Sequence, residues 1–233
     1  MTSYQHRVGR VRSEQTKIKI LDATLTVYAK SIGIRPFSAE EIMQEAGISR
    51  GTFYRYFESA TDAETSLGHH LTDEIRTQIE TIAKLSPERP ALRSAVGAQA
   101  LMLRGACDPK WGKFVTTSTF AFPKTGLYEG VTKSLIEGRK AGIFHYETTD
   151  VAADFCIGSA IEGIRALSLG RPQPFAFIME LVSFILRGIG LDRVEAEGLA
   201  LEAAEILKSA GPTHLPWWSL TRRIEEVATG IEG

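Results

Sequence analysis

The chain has 233 residues, a hydrophobic fraction of 43% and a formal net charge of −1, so it can hold one small and one larger domain with an ample core. Its start lacks the apolar stretch of a secretory signal, and no apolar run approaches the roughly 18 residues of a membrane span. Cys107 and Cys156 are too few for a disulfide framework. We therefore expect a cytoplasmic protein with reduced, small buried thiols.

The charge is distributed unevenly along the chain. Residues 1–57 hold nine Lys and Arg against five Asp and Glu, whereas residues 58–233 hold eighteen against twenty-three. A basic N-terminal part with an acidic remainder is typical of a protein that touches nucleic acid with one end only. A basic arm at the start either follows DNA or is a solvated tail, and it contains His6, Arg7, Arg10 and Arg12.

The first predicted helix lies between this arm and a pair of short helices. Apolar residues recur there at helical spacing, and Gly33 ends the pattern. We expect this helix to cover the two short helices and complete a three-helix domain. Its predicted apolar stripe consists of Ile18, Leu21, Leu25, Tyr28 and Ile32.

Two short helices joined by a tight turn follow at Ser38–Ala46 and Ser49–Tyr56. Ser38 and Glu41 have the spacing of a capping box, in which each side chain satisfies the other's free backbone amide. Gly47 can take the left-handed conformation that ends a helix. Ser49 is placed to cap the second helix. This arrangement predicts a helix-turn-helix.

The outward face of the second short helix carries the groups that can recognise DNA. Phe53 and Phe57 point inward together, at about 100° per residue. Arg55 could reach a guanine edge, and Thr52 or Tyr54 a thymine methyl group. A short solvated surface helix is the alternative, but a glycine there would weaken it by about 1 kcal/mol. The predicted DNA-binding residues are Ser38, Ser49, Arg50, Gly51, Thr52, Tyr54, Arg55 and Tyr56.

The run from Ile18 through Leu67 resembles the N-terminal domain of the TetR family of bacterial transcriptional repressors. The segments FSAEEIMQEAGIS and RGTFYRYFES carry the resemblance. The resemblance implies a homodimer on a palindromic operator and a helical C-terminal domain that binds a small effector. It further implies base contacts at the positions of Gly51 and Tyr54, with phosphate contacts at Ser38, Arg50 and Tyr56.

The sequence departs from the family pattern directly after the motif. Family members commonly carry a lysine two or three residues after the last Phe of the motif. Here that segment reads Glu58-Ser59-Ala60-Thr61. The corresponding phosphate contact is therefore missing, and Glu58 would repel the backbone if it faced DNA.

Beyond Phe57 the pattern predicts only helices, so the fold class is all-α. We expect a DNA-binding domain at residues 1–60 and an effector-binding and dimerisation domain at residues 61–233. Trp217 and Trp218 are expected to hold the last helix against the body, the alternative being a patch for another partner. The predicted helices are 61–84, 90–106, 110–121, 124–141, 148–169, 174–190, 193–210 and 216–229.

The helices at 151–169 and 175–189 are apolar on most sides and must be buried on most sides. The TetR resemblance implies that these two helices form a four-helix bundle with a symmetry mate. An ordinary internal hairpin in a monomer is the alternative. The predicted interface residues are Ile157, Ile161, Ile164, Phe177, Leu181 and Phe184.

The middle of the chain is rich in aromatic residues, and an apolar cavity with a few polar groups is the usual form of a small-molecule site. Glu162 stands out as a carboxylate in an apolar helix, where it would need either a ligand or a partner such as Arg165 or Arg104. Core packing is the alternative for the aromatic residues. The predicted effector-binding residues are Met102, Trp111, Phe114, Phe120, Tyr128, Phe155, Ser159 and Glu162.

Together these patterns predict a dimeric transcriptional repressor that a small apolar or aromatic effector releases from double-stranded DNA. An architectural DNA-binding protein with a filled core is the second hypothesis. An all-α enzyme is the third, but no convergent acid and base groups are evident and we expect no catalysis. We also expect no cofactor, and no metal site, because the adjacent His69 and His70 diverge on a helix.

Overall fold

The computed structural model describes residues 2–31, 36–85, 89–118 and 125–221, without the side chains of residues 2–7 and 9. These ranges form ten α-helices and a short 3₁₀ turn and contain no strand, which confirms the predicted all-α class. The chain divides into two compact units, Met1–His70 and Leu71–Gly233. The predicted domain boundary falls at the start of α4 (Ala60–Ala83), the helix that continues from the first unit into the second.

The first unit contains α1 (Thr2–Ser31), α2 (Ala39–Ala46) and α3 (Arg50–Tyr54), and α1 packs against α2. The buried side of α1 includes Leu21 and Tyr28 of the predicted stripe, together with Ile20, Thr24 and Val27. Leu25 is half-buried, Ile18 is 38% exposed, and Ile32 lies outside the described residues. The predicted basic arm belongs to the same helix. Its Arg10 and Arg12 are exposed, and the side chains of His6 and Arg7 lie outside the described residues.

The starts of α2 and α3 are capped by the hydrogen bonds that the sequence predicts. The Glu41 amide donates to Ser38 Oγ (3.3 Å), and the Ser38 amide donates to Glu41 Oε2 (2.9 Å). Gly47 ends α2 with a φ of 59°. Ser49 Oγ accepts from the Thr52 amide (3.2 Å) and starts α3, which ends at Tyr54, two residues earlier than predicted.

A second capping arrangement begins α4 where the TetR pattern commonly has a lysine. The Asp62 amide donates to Ser59 Oγ (3.0 Å), and the Glu58 amide donates to Asp62 Oδ2 (2.9 Å). These bonds satisfy backbone donors that the first turn of a helix leaves free. The departure at residues 58–61 therefore has a structural consequence, a well-capped start of α4.

The second unit is organised around α5 (Pro90–Cys107). Close contacts join α5 to each of the five helices that follow it, and α10 also packs on α9. In the described part of the chain, α4 makes no comparably extensive approach to any other helix. The helices after α5 are α6 (Pro109–Thr117), α7 (Gly126–Lys140), α8 (Thr149–Ser168), α9 (Pro174–Gly188) and α10 (Arg193–His214).

The C-terminal segment differs from the prediction at residues 211 and 212. A loop was expected at Gly211, but α10 continues to His214 with Pro212 inside it. Gly211 lies under the Trp218 ring, where a Cβ would meet a ring carbon at 2.3 Å. Trp217 is 4% exposed, and its Nε1 donates to Gln78 Oε1 (2.8 Å), so the segment is held to α4. Within the described ranges, every helix is too short or too polar to cross a bilayer.

Two glycines of the helix-turn-helix give a matched test of this local structure. A Cβ would meet nothing within 4 Å at either Gly47 or Gly51, but only Gly47 has a positive φ. We expect Gly47→Ala to lower the free energy of unfolding by about 1–2 kcal/mol through left-handed strain. Gly51→Ala should raise it by up to about 1 kcal/mol through helix propensity. Urea denaturation followed by circular dichroism measures both, and equal effects would contradict the assigned conformations.

Candidate nucleic-acid interface and ligand cavity

The two faces of α3 divide as the sequence predicts. Phe53 and Phe57 are buried, at 0% and 2% exposure. The opposite face presents Gly51, Tyr54 and Arg55, all of them exposed. No side chain at Gly51 separates the helix backbone from solvent. A groove-sized partner could therefore approach this backbone closely.

Two arginines flank the exposed face and are held only weakly. Arg50 lies 3.4 Å from Glu40 and 5.1 Å from the Tyr54 ring centroid, and Arg55 lies 5.2 Å from the Tyr56 ring centroid. Exposed ion pairs and exposed cation–π contacts are each worth at most about 1 kcal/mol. Both guanidinium groups can therefore turn toward a phosphate or a base edge at little cost.

Tyr56 is positioned by α1, which the sequence pattern did not indicate. Its hydroxyl lies 3.2 Å from Ser13 Oγ. This hydrogen bond is the main cause that lowers the pKa of Tyr56 below its usual value.

The hydroxyls of Ser38 and Ser49 act as helix caps, and Ser49 Oγ also lies 2.9 Å from Thr52 Oγ1. The predicted DNA-binding residues therefore lie in or directly beside the α2–α3 motif.

A cavity of about 450 Å³ lies within the second unit, among α4, α5, α7, α8 and α9. This volume is in the usual range for small-molecule sites. Its inner wall is aliphatic and buried, and its outer wall is charged. The inner residues include Leu101, Leu127, Leu135, Ile157, Ile185 and Ile189, and the outer residues are Arg76, Glu80, Lys84, Arg93, Lys133 and Glu137.

Small residues on facing helices leave this space open. On α5 they follow one side of the helix, at Ser94, Gly97 and Ala98. Ala83 of α4 and Ala160 of α8 also line the cavity. Facing small side chains cannot fill the distance between helix backbones, so a void remains. This spacing was the signal in the sequence that could have located the cavity.

The polar groups of the cavity are partly paired. Arg76 lies 2.8 Å from Glu80 on α4, and Arg93 of α5 lies 2.5 Å from Glu137 of α7. Burial raises the pKa of the Cys156 thiol to about 12, so this lining group stays neutral at physiological pH. In the ranges that the structure describes, no three His, Cys, Asp or Glu side chains gather as a metal site requires.

None of the described residues predicted for effector binding lines this cavity. Met102, Trp111 and Phe114 are at most 1% exposed and belong to the packed core. Tyr128 and Ser159 are half-buried, and Phe155 is 42% exposed. Phe120 lies outside the described residues.

The expectation for Glu162 was wrong in its premise. The side chain is 70% exposed and lies 3.0 Å from Arg165, one of the two predicted partners. The other, Arg104, lies 3.1 Å from Asp108. An apolar helix presents one side to solvent here, so a carboxylate on it is not necessarily buried.

The predicted interface residues separate into three groups by exposure. Ile157 and Ile164 are 5% and 0% exposed, so they face the chain's own core and their assignment to a surface was wrong. Ile161, Phe177 and Leu181 are half-buried. Phe184 is 53% exposed and forms part of an apolar surface with Val151 and Phe155.

Known proteins resemble the chain in both sequence and fold. Residues 20–62 match the family described as "Bacterial regulatory proteins, tetR family". An uncharacterized HTH-type transcriptional regulator of Mycobacterium tuberculosis is 32% identical over 98 residues, which is 42% of this chain and 48% of the relative. The match thus spans about half the length of the curated relatives.

Solved structures extend the likeness in fold to most of the chain. RolR in complex with resorcinol is 23% identical, with a TM-score of 0.58 over 82% of this chain and 95% of that one. A putative tetR family regulator from Shewanella sp. PV-4 is 16% identical, with a TM-score of 0.66 over 76% and 99%. At these identities the likeness concerns the fold. The helix-turn-helix of this chain, within residues 20–62, is thus that of the tetR family of bacterial regulatory proteins.

Proposed function

We propose that the protein is a ligand-responsive transcriptional repressor that binds a palindromic operator as a homodimer. The observation that carries this proposal is the exposed face of α3, with Gly51, Tyr54 and Arg55 opposite the buried Phe53 and Phe57. Capping on both sides of the turn fixes this face, so the side chains are preorganised for a major groove.

Direct base contacts come from the centre of the exposed face. Arg55 bonds a guanine edge, and Tyr54 or Thr52 packs on a thymine methyl group. Arg50, Tyr56, Ser38 and Ser49 bind phosphates and fix the register of the helix. Ser13 acts indirectly, since its contact with the Tyr56 hydroxyl holds that ring at the end of the motif.

The dimer forms through the outer sides of α8 and α9. Phe155 of α8 packs over Gly188 of α9, where a Cβ would meet its ring at 2.4 Å. Gly158 beside it faces open space, which leaves room for a side chain of a second copy. Exposed Phe155 and Phe184 form the apolar centre of the proposed interface. Two-fold pairing supplies the half-site spacing that a palindrome requires.

The effector binds in the cavity of the second unit and acts through α4. This helix starts three residues after Phe57 and lines the cavity with Arg76, Ile79, Glu80 and Ala83, and Lys84 follows it there. The ligand releases DNA only by its differential affinity for two arrangements of the dimer. A 100-fold preference supplies about 2.7 kcal/mol of coupling.

The cavity favours a ligand-responsive regulator over an architectural protein with the same fold, which would have a filled core. The RolR structure holds resorcinol, and another structural neighbour is named as a gamma-butyrolactone receptor, with a TM-score of 0.52 and 16% identity. These neighbours support a small-molecule effector as a general expectation. They do not specify its chemistry for this chain.

The first prediction concerns base recognition by α3. Arg55→Ala should weaken binding to an operator selected from random duplexes by about 1–3 kcal/mol and relax the preference at one base pair. Tyr56→Phe should weaken binding to operator and random DNA by similar factors. Electrophoretic mobility shifts at one fixed salt concentration measure both. Equal losses on operator and random DNA for Arg55→Ala would exclude the base contact.

The second prediction concerns assembly. A Cβ added at Gly163 would lie 2.6 Å from Leu181, so Leu181 packs within its own chain. A charge at Leu181 or Ile161 would therefore disturb the packing of the single chain as well as the proposed interface. Phe184→Glu tests the interface more directly, because the Phe184 side chain is half exposed in the single chain. We expect it to yield folded monomers, since an unpaired interface charge costs several kcal/mol. Val194→Glu on α10, at an 80% exposed position, is the matched control and should stay dimeric. Sedimentation showing a folded wild-type monomer at micromolar concentration would exclude the interface.

The third prediction concerns the cavity. Ala98 lines it and is half-buried, so Ala98→Phe should fill the space without removing any contact. We expect the operator affinity of this variant to stay within about threefold of wild type. Its affinity for decanol, used as an apolar probe of the cavity, should fall at least tenfold, which corresponds to about 1.4 kcal/mol. Ala98→Ser, which keeps the volume, should bind decanol as the wild type does. Calorimetry with equal decanol affinity in both variants would place the ligand elsewhere.

A further inference from the structure

The lining of the cavity is specific in its chemistry, and it differs from the aromatic site that the sequence suggests. Its inner wall consists of Leu and Ile side chains with Val131, Ala160 and Cys156, and none of the described lining residues is aromatic. An aliphatic wall offers a ligand dispersion and hydrophobic contacts but no ring to stack on. It therefore suits a flexible or alicyclic hydrocarbon body at least as well as a planar one.

The charged outer wall is unbalanced. It contains four basic side chains and two acidic ones, a surplus of two positive charges. Glu80 and Glu137 are both taken up by ion pairs with Arg76 and Arg93. Among the described residues, no carboxylate pairs with Lys84 or Lys133. Both lysines are exposed, so they remain solvated while the cavity is empty and cost little to keep there.

The two lysines belong to different helices on the same wall. Lys84 follows the C-terminal end of α4, and Lys133 lies on α7, beside Ser134. A hydrogen bond between Ser94 and Ser134 Oγ (3.1 Å) and the Arg93–Glu137 pair hold α5 and α7 together at this wall. Among the described residues, no corresponding ion pair joins Lys84, at the end of α4, to α7. An anion bound between Lys84 and Lys133 would supply that link.

We infer that the effector is an amphipathic anion, an aliphatic body with one carboxylate or comparable acidic head. This inference rests on the proposed function and names the ligand class of the same site. The hydrocarbon body occupies the inner wall, and the head lies between Lys84 and Lys133. If each heavy atom of a ligand takes roughly the volume of one water molecule in the liquid, about 30 Å³, the cavity of about 450 Å³ holds about fifteen heavy atoms. A monocarboxylic acid of about ten carbons fits this limit.

The test compares three ligands that differ only in the head group, decanoate, decanol and decylammonium. Binding to the full chain is measured by calorimetry below the concentration at which the ligands aggregate. We expect decanoate to bind at least tenfold more tightly than decanol, and decylammonium more weakly than either. The preference for decanoate should fall as the salt concentration rises, because the lysines are exposed.

Variants connect the preference to the two lysines. Lys84→Gln combined with Lys133→Gln should reduce the advantage of decanoate over decanol to less than about threefold while leaving decanol binding unchanged. Lys208→Gln, an exposed lysine of α10 that does not line the cavity, is the control and should keep the full advantage. Ala98→Phe should weaken all three ligands and so locate them in the cavity.

The outcomes separate this inference from the proposed function. Decanol binding as tightly as decanoate, or an advantage that survives removal of both lysines, would overturn the anionic head. Failure of all three ligands to bind would overturn the aliphatic body. In either case the operator-binding measurements with Arg55→Ala still decide the regulator itself. Loss of operator binding in the wild type would instead contradict the proposed function.

Discussion

The second unit depends on the burial of α5. Eleven of its eighteen residues are buried, including Leu92, Val96 and Met102. A helix that is apolar on most sides must be surrounded, and the helices after it provide this cover. Small residues of α5 let side chains of its neighbours approach the helix closely. At Gly105, for example, a Cβ would meet Ile164 of α8 at 2.5 Å.

The same helix explains why one side of the unit is hollow. Ser94, Gly97 and Ala98 present little volume to the cavity, and α4 reaches the bundle through a few specific contacts. Ile79 stands over Gly97, where a Cβ would meet it at 3.4 Å, and Gln78 accepts from Trp217. Packing interiors are normally dense, and voids this large are few in a domain. Any molecule in this cavity would contact α4, the helix that follows the helix-turn-helix in the chain.

The sequence predicted the local structure well and the tertiary detail poorly. Ser38, Glu41, Gly47 and Ser49 act within a few residues of themselves, so their roles were recognisable from spacing alone. Most helix bounds were close for the same reason. The exceptions are α6, which ends at Thr117, α10, which continues past Gly211 under Trp218, and residues 216–221, where a 3₁₀ turn stands in the predicted last helix. These successes depend on local hydrogen bonds, which neighbours in the chain determine.

The ligand site could not be located from local patterns, because the composition of a helix does not determine which of its side chains face the core, the cavity or solvent. Trp111 and Phe114 were conspicuous as aromatic residues, yet they pack into the core, while the cavity is marked by small residues. Glu162 was conspicuous as a charge in an apolar helix, yet the structure turns it outward. For α8 and α9, apolarity alone did not distinguish Ile157 and Ile164, which face inward, from Phe184, which is half exposed.

The positions of the tryptophans give the two units different optical properties. All three, Trp111, Trp217 and Trp218, lie in the unit Leu71–Gly233. Arg104 sits between two of them, 6.0 Å from the Trp111 ring centroid and 5.7 Å from that of Trp217. Intrinsic tryptophan emission therefore reports on the larger unit alone, and the helix-turn-helix contributes only tyrosine. A comparison of this emission with circular dichroism during denaturation distinguishes the loss of one unit from the loss of both, without any label.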